Sequence, residues 1–321
     1  MGGTRVNLPA QHTASHAGAA SKPQRDPHGL TAGNKRARVM DRLFKNYFLF
    51  SILALCLVLA MVVFFIGRTA ILTFGEVSFA EFFFSFNWTP EEDRFGAALF
   101  IINTLSLTAL TMIIAVPISV GMAILIAEIA PNWLKKIIRP LLDLLVGIPS
   151  IVYGYLGLTV LLPFLRELSG EGLGDGLLAA ALVLTIMILP TISRISDDAI
   201  SAVPKKYRDA SYALGSTRLQ AIFKAVLPAA GRGIVAAIIL GMTRAIGETM
   251  AVVMVIGNTP QLAKSLFAPA SVLTSNIVMQ ISNVEFESTW NYSLHMMAFL
   301  LLLISFALIL LIRYVGRKRE V

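Results

Sequence analysis

Arg244 and Glu248 stand four residues apart in the run Arg244-Ala245-Ile246-Gly247-Glu248, inside a stretch from Gly233 to about Ile256 that is otherwise uncharged. In a helix that spacing puts both on one face. An ionisable side chain in a membrane span costs roughly 3 kcal/mol or more, so such a face avoids lipid. Arg presents a planar fork of donors that matches the oxygens of an oxyanion. Arg244 can therefore line a pathway, with Glu248 holding it and keeping the anion from binding too tightly. The alternative is an internal ion pair that helps assemble a helix bundle, and both can hold at once. Gly241 and Gly247 would let a neighbouring helix come close. Arg139 and Asp143 form another four-apart pair, which reads as structural.

A second group is Gly147-Ile148-Pro149-Ser150-Ile151-Val152-Tyr153-Gly154. Pro149 removes one backbone hydrogen bond and predicts a helix break in mid-membrane, with Gly147, Pro149 and Gly154 as the break residues. Broken backbone survives at membrane depth only inside protein or beside a cavity. Small or hydroxylated side chains, Ser150 and Tyr153 among them, could then offer donors to a passing anion. The alternative is a packing kink.

Other chemistry is missing from the sequence. There is no G-x-x-x-x-G-K-[S/T] loop for nucleotide phosphates. No metal-ligand spacing and no nucleophile with a base is present, so no catalytic residue, metal or cofactor is expected. Cys56, the one cysteine, reads as a buried structural thiol. His12, His16 and His28 are irregularly spaced in the tail, and His295 reads as a packing residue.

The elements that must position these residues follow from composition. Of 321 residues 56% are hydrophobic and only 14% charged. That balance excludes an ordinary cytosolic enzyme, and with it a nucleic-acid reading of the net charge of +8. Residues 1–40 are polar, rich in Gly, Ala, Ser, His and Pro, and expected to be disordered rather than a signal peptide. Six apolar runs follow: Lys45 to Arg68, Phe95 to Ala127, Asp143 to Arg166, Gly176 to Ser193, Gly233 to about Ile256, and Ser288 to Ile312. Each is long enough to cross a bilayer as a helix. The fold expected is all-α, a membrane protein of six transmembrane helices over residues 45–315. Lys and Arg gather before the first run, between the second and third, between the fourth and fifth, and at the end of the chain, which predicts that both termini are cytoplasmic. The connector at 69–94 combines six Phe and Trp88 with five acids, and predicts an interfacial segment followed by an acidic turn at Thr89–Asp93.

The connector at about 194–231 is the longest on the basic side. Pro204 suits a helix start. Gly215 suits a left-handed cap after a helix at Lys205–Leu214. Thr217 with Gln220 makes a capping box for a second helix, which Pro228 would stop or kink. Two short helices joined by a turn are predicted. Asp209, Ala210 and Ser211, then Gly215, then Leu227-Pro228 resemble the EAA loop of bacterial ABC import permeases. Asp replaces Glu, Ser replaces the second Ala, and Ala225 stands where Ile is usual, but size and helix tendency survive. In that family the loop docks in a groove of an ATP-hydrolysing subunit, which implies a coupling role for Asp209, Ala210, Ser211 and Gly215.

The resemblance narrows further. Gly147–Gly154, Leu189-Pro190-Thr191, Arg244–Val252 and the Trp88-Thr89-Pro90 turn, followed by Phe95-Gly96 and Asn103-Thr104, resemble the PstC-type permease subunit of the bacterial ABC phosphate importer. The likeness covers about residues 45–315. It implies an inner-membrane permease subunit that translocates inorganic phosphate through the lipid bilayer and is not itself an enzyme. The partners it implies are a homologous second permease in a heterodimer, two ATP-binding subunits and an external phosphate-binding protein. It puts Arg244 and Glu248 in the translocation path. The alternatives are a permease for another oxyanion, or an ion-coupled secondary transporter, which would carry its own midplane ion site and often an internal repeat.

Overall fold

The computed structural model describes residue 2, residues 35–170 and residues 174–318. The expected disordered tail, with His12, His16 and His28, lies outside the described residues up to position 34, and helix begins at Lys35. The described chain divides into a unit ending at Ala60 and a second one, Met61–Val321. The first is helical, and Cys56 on it is exposed, not buried. An apolar thiol on a lipid-solvated helix meets no penalty for facing outward.

Among the described residues, six helical stretches are long and apolar enough to cross a membrane: Met40–Gly75, Ala98–Ile129, Ser150–Ser169, Leu177–Ser201, Arg218–Gly247 and Thr289–Tyr314. Hydrocarbon offers backbone groups no partner, so each segment satisfies its own along a helix. In chain order the helices are α1 (Lys35–Ile71), α2 (Phe79–Phe84), α3 (Ala98–Ile124), α4 (Asn132–Val146), α5 (Ser150–Leu156), α6 (Leu162–Ser169), α7 (Leu177–Ser201), α8 (Lys205–Ala213), α9 (Arg218–Ala221), α10 (Leu227–Gly247), α11 (Met250–Val253), α12 (Leu273–Gln280) and α13 (Thr289–Lys318). Wide π-type turns join α3 to its end at Ile129, α5 to α6, and α9 to α10.

The hub of the second unit is α7, the most deeply buried of these spans. α3 and α10 pack on it. Gly241 makes the α10 contact possible, because a Cβ there would sit 2.4 Å from Ile192 Cγ1. Gly247, expected to do the same, opens onto free space.

In the segment before α3 the expected acidic turn is formed. The short helix α2 is capped by Ser78, and a two-residue hairpin pairs Trp88 with Phe95 and Thr89 with Arg94. Its acidic turn closes on Asp93 in the left-handed region at φ 54°. His295 packs edge-on to Phe65 with ring centroids 6.4 Å apart.

Two boundaries differ from expectation. α7 does not stop at Ser193 but runs to Ser201, because Arg194, Asp197 and Asp198 find ionic partners and need not leave the helix. Nor does Pro228 stop the second helix of the basic loop. The π-type turn Ile222–Val226 carries the Leu227 amide to the Ile222 carbonyl, and Pro228 then falls in the first turn of α10, where its missing N–H costs nothing. The loop is thus one short helix, α8, and the foot of a long one.

Candidate functional site

Two interrupted helices meet beside α7. The first interruption is the expected one at Gly147–Pro149, between α4 and α5. In an unbroken helix the Leu145 carbonyl would accept from residue 149, but Pro149 has no N–H to give. The Tyr153 hydroxyl takes its place, donating to the Leu145 carbonyl at 2.8 Å. Tyr153 is accordingly buried, and its hydroxyl secures the break. Ser150 is half-buried at the start of α5. Gly154 is not a break residue. It lies inside α5 against α11, where a Cβ would come 2.9 Å from Ala251 Cα and 2.9 Å from Met254 Sδ.

The second interruption was not expected. α10 ends at Gly247, Glu248 is extended with φ −72° and ψ 128°, and α11 restarts at Met250. Arg244 and Glu248 are therefore not one helix turn apart on a common face, and no ion pair joins them. Glu248 turns its carboxylate to the Ala251 amide at 3.2 Å, capping α11, and its carbonyl accepts from the Thr274 hydroxyl at 3.3 Å. Arg244, half-buried, donates through Nη1 to the Thr191 hydroxyl at 3.0 Å. Thr191 lies 14 residues along α7 from Leu177, about 21 Å at helical rise, so the guanidinium sits well inside the bundle. It is also near enough to Tyr153 to act on it electrostatically. Arg244, Tyr153, Gly154 and Glu248 thus come together around the α5–α11 contact.

The residues resembling a coupling loop form a separate site. Arg244 is 17 residues along α10 from Leu227, about 25 Å from the foot of that helix. Asp209, Ala210 and Gly215 are exposed, and Ser211, half-buried, pairs its hydroxyl with that of Ser216 at 2.6 Å. α8 ends as the sequence predicts: Gly215 has φ +79°, its amide reaches the Tyr212 carbonyl, and the Ser216 amide reaches Ser211. The Thr217–Gln220 capping box is formed.

Between the two sites lies an ionic layer that spacing alone did not reveal. Arg139 and Asp143 do not pair with each other, because on α4 each finds a better partner across on α7. Arg139 grips Asp197 in a two-pronged contact at 2.8 and 3.0 Å, and Asp143 accepts from Arg194 at 3.1 Å. Asp197 is fully buried and also accepts from Ser201. Its hydrogen bond raises the Arg139 pKa above the ordinary value, against the lowering that burial brings. Below it, Arg208 of α8 pairs with Glu128 at the end of the α3 span. The only signal in sequence was a carboxylate at each end of an apolar run, which names no partner.

Residues 119–321 match the family described as the inner-membrane component of binding-protein-dependent transport systems. The chain belongs to this family. Among relatives, a probable ABC transporter permease protein, YqgH, of Bacillus subtilis (strain 168) is 47% identical over 247 residues, 76% of this chain and 80% of that one. The phosphate transport system permease protein PstC of Pasteurella multocida (strain Pm70) is 39% identical over 238 residues, covering 67% and 74%. PstC of Xylella fastidiosa (strain 9a5c) is 34% identical over 266 residues, covering 77% and 80%. Among solved structures, an inward-facing MetNI methionine ABC transporter aligns with TM-score 0.50 and 25% identity over 68% of this chain and 91% of that one. A bacterial alginate ABC importer aligns with TM-score 0.60 over 88% and 99%; at 14% identity it speaks for the fold alone. The permease is thus a multi-pass bacterial inner-membrane protein with the all-α fold of ABC importer permeases. Membership makes it a transport subunit, with ATP hydrolysis in partner ATPases and solute delivery by a binding protein.

Proposed function

We propose that the chain is one of two homologous channel-forming permeases in an ATP-driven importer of inorganic phosphate, served by two ATP-binding subunits and an external phosphate-binding protein. The relatives named PstC supply the substrate class, and one feature of the site supports it chemically. Arg244 sits deep in the bundle beside two broken helices, and among the described residues its only hydrogen-bond partner is a neutral hydroxyl. No carboxylate spends its charge, so a tetrahedral oxyanion can take two of its donors. Glu248 serves by capping α11 and fixing the break in α10. The basic ends of the spans face the cytoplasm by the positive-inside rule, so α8, with Asp209, Ala210, Ser211 and Gly215, meets the ATPase, and both termini are cytoplasmic.

The test is uptake by membrane vesicles carrying the whole complex. ATP-dependent phosphate uptake should resist an uncoupler; uptake that collapses with the proton gradient would mean an ion-coupled carrier. Arg244→Gln, with Glu248 intact, should leave the complex assembled and lower uptake by about tenfold or more, since a charge-assisted contact is worth roughly 1.5–3 kcal/mol. Normal uptake by that variant would remove Arg244 from the pathway.

A further inference from the structure

The exposed helix α8 has no buried residue, so it holds to the bundle without an apolar core of its own. Besides its contact with the Ile222–Val226 turn, it is held by Arg208. Its Nε donates to both carboxylate oxygens of Glu128, at 3.0 and 3.3 Å, and its Nη2 closes on Oε1 as well. The same guanidinium reaches the Val203 carbonyl at 2.7 Å and the Ile200 carbonyl at 3.2 Å, at the end of α7. Both side chains are largely shielded, at 18% and 10% exposure.

Glu128 in turn binds two elements at once. It lies in the π-type turn Leu125–Ile129 that ends the α3 span. Its carboxylate holds α8, and its backbone carbonyl accepts from Arg218, the first residue of the helical stretch that leads to Arg244 and the break at Glu248. Just above, Ala123, Ile200, Val203, Val226 and Ala230 form a buried apolar cluster that packs the same three helix ends together.

From this geometry we infer that the Arg208–Glu128 pair is the mechanical link between the coupling helix and the bundle. Arg208 is the α8 side chain whose hydrogen bonds reach the ends of α3 and α7, while α8 also lies against the Ile222–Val226 turn, so a displacement of α8 reaches the α3 span through Arg208. Glu128 then divides it between the α3 span, by its own backbone, and the Arg218–Gly247 span, by its carbonyl. Arg208 adds the end of α7 directly. A two-pronged, shielded ion pair suits this task, since it fixes direction as well as distance. Arg208 and Glu128 are positioning residues: they touch neither phosphate nor ATP.

This rests on the importer reading, and the test separates the two. The whole complex with its binding protein is reconstituted in proteoliposomes as wild type, Glu128→Gln, Arg208→Lys and the double variant. Phosphate uptake and ATP hydrolysis are measured on the same samples, and retention of the ATPase subunit is checked by co-purification. If wild type shows no ATP-driven uptake, the importer reading fails. Given a working wild type, each single variant should keep its ATPase subunit and hydrolyse ATP within about twofold of wild type. The ratio of uptake to hydrolysis should fall at least tenfold, with the double variant no worse than the worse single, as for two groups acting as one. The inference is overturned by an unchanged ratio or by uptake and hydrolysis falling in step. Losses that multiply in the double variant would also overturn it, as would release of the ATPase subunit, which would make the pair a docking element.

Discussion

The least replaceable single residue is Asp197, a fully buried carboxylate in a span of a chain that carries few charges. It is tolerated because every acceptor direction is used: Arg139 on two sides, Ser201 at 3.1 Å and Arg194 at 3.5 Å. Taking away one partner of a buried pair is worse than never having built it, because the charges left behind lose water and partner together. Asp197→Ala strands Arg139, whose side chain is about a third exposed and can turn to water, while Arg194 keeps Asp143 and Asp198. The expected cost is about 3 kcal/mol, the low end for a broken buried pair. It should appear as a clear drop in the thermal unfolding midpoint of the purified complex. A midpoint equal to wild type would show that the pair contributes nothing net. Asp197 stands apart from Asp143 and Asp198, which flank the same arginine with more than half of each side chain exposed.

At the scale of elements, what could be read in the sequence tracks what is local. The break at Pro149 was legible because one missing N–H has one consequence within four residues. So were the Gly215 turn and the Thr217 capping box, each closed within a few positions. Even there the strain of the turn predicts a graded response. Gly215→Ala meets no atom within 4 Å and pays only the left-handed backbone penalty, about 1 kcal/mol. Gly215→Pro cannot reach φ +79° with its ring locked near −65°. Ala should therefore leave the ATPase subunit bound and uptake near normal, whereas Pro should release it. Retained co-purification and full uptake with Pro would end the coupling role of this loop. What was not legible depends on partners distant in sequence. Gly247-Glu248-Thr249 carries no proline, and its break is fixed by Glu248 capping Ala251 and by Thr274 reaching back to the Glu248 carbonyl. Likewise Gly154 resembled a break residue, yet its small size serves a contact with Ala251, 97 positions away. Pro228 resembled a stop because a helix was assumed to keep one period throughout, and a single wide turn shifts that register.

At the scale of the whole molecule, the position of α7 decides where a conduit can run. The middle of the second unit is filled by that helix, with Leu184, Met187, Ile188 and Ile192 fully buried. A pore therefore does not pass through the centre of one chain. The polar, interrupted backbone lies instead at the flank where α5 meets α11, with Gly247 exposed beside Glu248 and Met250 half exposed at the start of α11. Irregular backbone at this depth needs protein or water against it, and a second permease facing this flank would enclose both in one aqueous path. Met250→Cys tests that arrangement, in a Cys56→Ser background so that only one thiol is present. In the assembled complex a water-soluble maleimide should label Met250→Cys, phosphate with its binding protein and ATP should change the labelling rate, and the chain without its partners should be labelled by a lipid-soluble maleimide instead. If the assembled complex admits only the lipid-soluble reagent, the flank faces bilayer, and the path has to be sought on another face of the helices around α7.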